Sequence, residues 1–471
     1  MATERLRKGR LIGIDRIAGA AAGLAVRGER VPPQTFTTGC YHLSRPEHSK
    51  MSHELPHADL VVRNIAQVST LRGERPRLGA AMRDLGIISN AAVAADRGRI
   101  VFVGPDADLD SGVSIRPNAV EIDARGASVI PGFVDAHTHL AYAGDRDDEI
   151  RARLAGATYE EISSKGGGIV KTVAATRAVS LEGLTALVRG RLDRLLSLGT
   201  TTAEVKSGYG LSVEAERTSL QAISAAAVDH PVRVVRTYLG AHEVPLDRRA
   251  DREAYIAEMI DEAIPEIARL GLAEFADVFC ERGVFTTDES RRILTAATVA
   301  GLALRIHADE FSDQGGAALA ADLKARSADH LIQVSDDGIT AMARAGVVAT
   351  LMPAASFFLK LGKFAPARKL IDAGVAIALG SDTNPGGGLS SSMPFAMTLA
   401  CFGMGLSLEE ALTAATIGSA MSVGLENEVG SIEVGKRADL LILNSDRLLD
   451  LVRLGKNPVA RVIANGLLVR D

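Results

Sequence analysis

The chain has no tryptophan, 4% aromatic residues and only three cysteines in 471 residues. Cys40, Cys280 and Cys401 are far apart and make no Cys-x-x-Cys pair. That excludes a thiolate metal knuckle, a dithiol redox motif and a disulfide framework; the three read as reduced thiols in a cytoplasmic protein. No apolar run reaches the ~18–20 residues a bilayer span needs, so no membrane partner is expected. The formal charge of −5 leaves no basic field for nucleic acid or anionic lipid. "SKGGGIVKT" is glycine-rich but follows neither the P-loop nor the dinucleotide spacing, which excludes a nucleotide site there. What remains is ordinary globular material, 47% apolar and 24% charged, enough for one large and one small domain.

Residues 1–57 stand apart as a loosely ordered extension. Their start is basic, and Asp15-Arg16 breaks the apolar stretch that a secretory signal would need. From Ala58 the texture becomes short apolar runs with turn signals, including "AAVAADRGRIVFVG", a hairpin through Arg97-Gly98. The far C-terminus repeats it in "GSIEVGKRADLLILN" and "ARVIANGLLVRD". Residues 58–130 and 426–471 are therefore expected to pair into one small β-sandwich, with 131–425 inserted between them.

The insertion alternates strands with helices. Eight strands are expected, from "ASVIPGFVDAHTH" to "VAIALGSD", with amphipathic stretches such as "LEGLTALVRGRLDRLLSLG" between them. "TTDE" (Thr286–Glu289) and "SLEE" (Ser407–Glu410) are capping boxes that open two of the helices. The expected fold class is α/β, a (β/α)8 TIM barrel, with a doubly wound open sheet as the alternative.

Ten histidines are present, four of them in the first 57 residues. Five of the other six end expected strands: His137, His139, His242, His307 and His330. Lys206, Glu281 and Asp382 stand at other strand ends, and Glu310 just past the one that carries His307. In a barrel all those ends face one mouth, which favours the barrel over the open sheet.

His137 and His139, at i and i+2 on one strand, project to one face and can reach one ion. His-x-His alone is a weak signal, and Asp135 two residues earlier strengthens it. His307 and Asp382 complete a three-histidine, one-aspartate shell suited to one divalent metal ion, zinc or iron. An open place on that ion takes water, the source of a hydroxide nucleophile near neutral pH. Glu310 is the candidate general acid/base, against a plain helix N-terminal carboxylate. His330 is the candidate for stabilising charge on a carbonyl oxygen, against a satisfied core histidine. Arg146, seven residues after His139, is placed to bind a substrate carboxylate. Asn384-Pro385-Gly386 makes a turn that can grip a substrate, and "KSGYG" is a loop with an exposed Tyr209.

With those residues in place the chain resembles the metal-dependent amidohydrolases over residues 58 to 471. Within them, "HTHLAYAGDRDDE", "GGGIVKTVAATR", "VKSGYGL", "YLGAH", "HADE", "SADHL" and "DTNPG" look like the imidazolonepropionases. The resemblance implies metal ligands His137, His139, His307 and Asp382. It implies substrate contacts from Arg146, Tyr209, His242, Asn384 and Gly386. The implied reaction is hydrolysis of the ring C–N bond of 4-imidazolone-5-propanoate to N-formimidoyl-glutamate, in histidine degradation. A small-molecule substrate is then the expected partner, and a homodimer the expected assembly. Two departures bear on the substrate: Ala354 stands where the family has glycine, and Gly387 where it has Ser or Thr. They keep open a related hydrolase for another carboxylate-bearing cyclic amide or amidine. A metal-free scaffold on the same fold is the non-enzymatic alternative.

Overall fold

The computed structural model describes residues 55–157, 161 and 167–471. All but the last three residues of the expected N-terminal extension, with Cys40, lie outside them. The described chain opens with β1 (His57–Ser69), β2 (Ile87–Asp96), β3 (Arg99–Pro105), β4 (Ser114–Asp123) and β5 (Ser128–Pro131). β1 is the hub, antiparallel to β2 and parallel to β4 and β5. The β2–β3 hairpin turns through Arg97 and Gly98, with φ of 48° and 78°. Two positive φ values give the two-residue turn whose twist matches that of the flanking strands.

The run "ASVIPGFVDAHTH", expected as one strand, is divided at Gly132. Its first part is β5 of this sheet; its second, β6 (Phe133–Asp135), begins the barrel. A Cβ on Gly132 would lie 2.1 Å from Thr201 Oγ1, so the crossover needs glycine.

The barrel continues with β7 (Thr200–Lys206), β8 (Arg233–Ala241), β9 (Phe275–Cys280) and β10 (Ala303–Ala308). β11 (Ser327–His330), β12 (Val348–Leu351) and β13 (Ile377–Leu379) complete it. Each strand pairs in parallel with the next. Backbone bonds then close the ring between the ends of β13 and β6. Ala136 N donates to Leu379 O (3.3 Å), Asp382 N to His137 O (2.9 Å) and His139 N to Thr383 O (3.0 Å). The chain is a closed eight-stranded (β/α)8 barrel, and the open sheet is excluded.

The outer helices start where the sequence places them. Thr286 and Ser407 form reciprocal capping boxes with Glu289 and Glu410. Helix Leu181–Ser197 buries Leu184, Val188, Leu192 and Leu195, a stripe at helical spacing laid against the barrel. After the barrel, β14 (Leu440–Leu443) pairs with β5, and β15 (Val459–Ala464) and β16 (Leu467–Arg470) extend the edge. The two ends of the described chain thus share one eight-stranded sheet. Along β1, Leu60 and Val62 join one small core and Val61 another, as period-two alternation requires, while a register shift between Ala58 and Leu60 puts Ala58 with Val61. Among the described residues no helix is long and apolar enough to cross a membrane.

Candidate active site

Four electron-pair donors converge at the C-terminal mouth of the barrel. His137 Nε2 is 3.2 Å from His139 Nε2, which is 3.4 Å from His307 Nε2. Asp382 Oδ1 lies 3.6 Å from the first and 3.4 Å from the second. A tetrahedral site with bonds of ~2.0–2.1 Å has donor–donor edges of about 3.3–3.4 Å, so the spacing suits one ion of that size. Burial drives the His137 and His139 pKa values well below the ordinary range and keeps both rings neutral, the form a metal needs. Burial pushes the Asp382 carboxyl up to about 7, a direction that a cation beside it opposes. Asp135, which strengthened the His-x-His reading, is elsewhere engaged: its Oδ1 accepts from Ser381 N (2.8 Å) at the barrel seam.

The far nitrogens of two of these rings face carboxylates. His137 Nδ1 is 2.7 Å from Asp329 Oδ2, and His307 Nδ1 is 3.0 Å from Asp277 Oδ2. A proton on each Nδ1 leaves Nε2 bare toward the cluster, the arrangement that orients metal-binding histidines. Beneath them lies a fully buried ionic layer of Glu204, Lys206, Asp277, Arg305 and Asp329, each with side-chain exposure of 0%. Lys206 Nζ donates to Glu204 (2.8 Å) and Asp277 (2.7 Å), and Arg305 Nη2 to Asp329 (2.9 Å). Burial alone would raise the Asp277 pKa; His307 and Lys206 beside it pull it well below the ordinary range. The layer sets three carboxylates against two cations, and Asp382 stands in the donor cluster above it, a surrounding that favours a cation there.

Glu310 and His330 stand over this cluster and line the cavity, with His330 Nδ1 3.6 Å from Glu310 Oε1. Burial, then Asp382 and Glu281, raises the Glu310 carboxyl well above the ordinary range, the direction that makes a carboxylate a better proton acceptor and keeps the proton available to pass on. Its loop is pinned from β9: Glu281 Oε2 accepts from Phe311 N (2.8 Å) and Ser312 N (3.2 Å). His242 Nδ1 is 2.8 Å from Gly208 O, and its ring stacks on His139 at 5.0 Å and 19°. Burial takes the His242 pKa down to about 3, so this ring is neutral as well.

Tyr209, expected to be exposed, is buried. Glu216 accepts from Gly208, Gly210 and Leu211 N at 2.7–2.9 Å, folding the loop inward. Tyr209 thereby packs edge-on to His242, 5.2 Å between centroids, and lines the cavity.

At the rim Arg146 donates to Glu149 Oε2 (2.8 Å), whose Oε1 takes Gly168 N (2.8 Å). Its guanidinium lies against Gly386, where a Cβ would come within 2.3 Å of Arg146 Cζ. Asn384 lines the cavity too, but its amide is largely spent on its own loop. Oδ1 accepts from Gly386 N (2.8 Å) and Gly387 N (2.6 Å), and Nδ2 donates to Asp382 O (2.7 Å). The Asn384 side chain is thus first a loop-folding group. Ala354 is buried and outside the cavity lining, whereas Gly387 is part of it.

The sequence places Lys206 at the mouth, whereas it lies in the ionic layer; the rest of that layer has no expectation in the sequence, nor do Glu149, Glu216 and Arg153, whose Nη2 donates to Gly386 O (2.8 Å). A signal for the layer was available. Asp277 and Arg305 interrupt largely apolar strands, and a charge inside a barrel strand must be paired there.

The comparisons with known proteins agree with this geometry. Residues 128–469 match the model of the amidohydrolase family. The imidazolonepropionase of Symbiobacterium thermophilum is 50% identical over 88% of this chain and 97% of its own. That of Geobacillus kaustophilus is 49% identical over 87% and 97%. Among solved structures, Escherichia coli guanine deaminase aligns with TM-score 0.66 at 19% identity, over 87% of this chain and 99% of that one. A zinc-bound adenosine deaminase from Xanthomonas campestris aligns with TM-score 0.61 at 20% identity, over 88% and 94%. The last two speak for the fold alone. With the sequence matches and the four-donor mouth together, the chain belongs to the amidohydrolase family and, within it, to the imidazolonepropionases.

Proposed function

We propose that this chain hydrolyses the ring C–N bond of 4-imidazolone-5-propanoate to N-formimidoyl-glutamate, as a step of histidine degradation. The observation that carries the reading is the convergence of His137, His139, His307 and Asp382 beneath Glu310, in a chain half identical to a curated imidazolonepropionase. The four residues would hold one divalent ion, zinc or iron. Such an ion supplies Lewis acidity, making hydroxide available near neutral pH and polarising a carbonyl.

The chain's own groups do the rest. Arg146 binds the propanoate carboxylate, with Tyr209 and His242 closing the same wall and setting the ring carbonyl over the donor cluster. Gly386 gives the guanidinium room, and Asn384 holds the loop that carries it. Glu310 takes the proton of the attacking water on a carboxylate oxygen and passes it to the departing ring nitrogen. His330 stabilises the charge that develops on the carbonyl oxygen. The proposal extends to a cytoplasmic homodimer, and light scattering on the purified chain checks the assembly.

The test is paired on one sample: elemental analysis of bound metal, and turnover of freshly generated 4-imidazolone-5-propanoate. About one zinc or iron per chain with rapid turnover is expected. Metal without turnover would overturn the substrate assignment and move it to other carboxylate-bearing cyclic amides. Absence of metal after reconstitution would overturn the site.

A further inference from the structure

The barrel floor holds an ionisable side chain that the mechanism above does not use. Lys206 ends β7, a position that would send its side chain to the mouth with the histidines. It lies inside the barrel instead, fully buried. Its Nζ is 2.8 Å from Glu204 Oε1, 2.7 Å from Asp277 Oδ2 and 3.9 Å from Asp329 Oδ2. The last two carboxylates each stand behind a different histidine of the donor cluster, Asp277 behind His307 and Asp329 behind His137. Asp329 is held from other sides by Arg305 Nη2 (2.9 Å) and Ser327 Oγ (2.6 Å). Asp277 pairs with no other described lysine or arginine.

We propose that Lys206 is a positioning residue for the metal. By hydrogen-bonding Asp277 and standing within ion-pair distance of Asp329 it fixes the orientation and the Nδ1–H tautomer of His307 and His137, and so aims both Nε2 lone pairs at one point. The inference rests on the metal site of the proposed function. Its physical basis is that a carboxylate behind a ligating histidine orients the ring only if the carboxylate is itself held. Here one ammonium serves two such pairs, and no side chain that reaches the mouth is spent on the task.

Glu204 supplies the competing account. Among the described residues it makes no hydrogen bond or ion pair with a histidine ring; its Oε2 accepts from Thr138 N at 3.3 Å. If Lys206 only offsets the Glu204 charge, removing both groups together leaves the metal site intact.

The probe is Co²⁺, whose visible bands report ligand geometry and whose affinity is read by competition with a chelator. Three chains are compared: the unaltered chain, Lys206→Met, and Lys206→Met with Glu204→Gln. The unaltered chain is expected to bind one Co²⁺. Both variants are expected to bind it about 10–100-fold more weakly, with displaced bands. Affinity and bands of the double variant equal to those of the unaltered chain would overturn the inference and assign Lys206 to charge compensation. Failure of the unaltered chain to bind Co²⁺ would instead overturn the metal site. Should the variants not fold, the metal-free unaltered chain with ¹⁵N-labelled histidine decides. Nδ1–H tautomers at His137 and His307 are expected, and Nε2–H tautomers would overturn the inference.

Discussion

At the floor of the cavity Glu204, Lys206, Asp277, Arg305 and Asp329 sit on four barrel strands, with no side-chain surface exposed. At its rim Arg146, Asn384 and Gly386 sit on the loops after β6 and β13, and hold one another through loop hydrogen bonds and close packing. Strand register fixes the floor, because each group is placed by a ladder running the length of the barrel. The rim is fixed only locally. The two regions are therefore expected to answer differently to change: a rim residue such as Gly386 can vary with the donor cluster kept, whereas a change at Asp277 or Asp329 meets a histidine of that cluster directly.

Glu310 joins the two regions and gives the largest expected effect outside the floor. Glu310→Gln keeps the shape and removes the proton carrier, so kcat should fall by about 10²–10⁴-fold while the metal content stays the same. Near-full turnover in that variant would take the acid/base role from Glu310. Gly386→Ala probes the rim alone. Its Cβ would collide with Arg146 Cζ at 2.3 Å, so the guanidinium must move. Losing one charged contact to the substrate carboxylate is worth ~1.5–3 kcal/mol, so KM should rise about 10–150-fold with kcat and metal content largely kept. A loss of bound metal in this variant would break the separation of rim from floor.

The smallest effect is expected from Gly387→Ser. A Cβ there meets Leu359 at 3.3 Å, a contact that a shift of a few tenths of an ångström relieves. Its cost should stay under ~1.5 kcal/mol, read as a small fall in Tm with bound metal unchanged. Steady-state kinetics then tell whether the restored hydroxyl improves kcat/KM. An improvement would make Gly387 a limit on this chain's substrate fit.

The mouth was legible because its chemistry sits on strand ends, where short patterns reveal it. His-x-His is a same-face pair within one strand, and His307, His330 and Asp382 follow apolar runs that end in turns. The capping boxes at Thr286 and Ser407 were equally plain, being four-residue events. Tyr209 read as exposed because loop burial is decided from outside the loop: Glu216, on the following helix, pulls it in. The run around Gly132 read as one strand because nothing local shows which sheet will take each half. Asn384 read as a substrate grip, and its carbonyl oxygen proves to be occupied by the amides of its own turn.

The sequence by itself determined the element types, the capping boxes and the side of the barrel on which its histidines gather. These follow from side-chain period, turn chemistry and the ordinary preferences of imidazole and carboxylate. Only the tertiary structure decided that Lys206 turns inward, and that Asp329 backs His137 across 192 residues of chain. It alone set Asp277 behind His307 and laid Arg146 over a glycine. The reason is geometric. Local sequence fixes which face a side chain takes, but barrel closure and stagger fix which distant charge it meets there, and a buried charge must meet one.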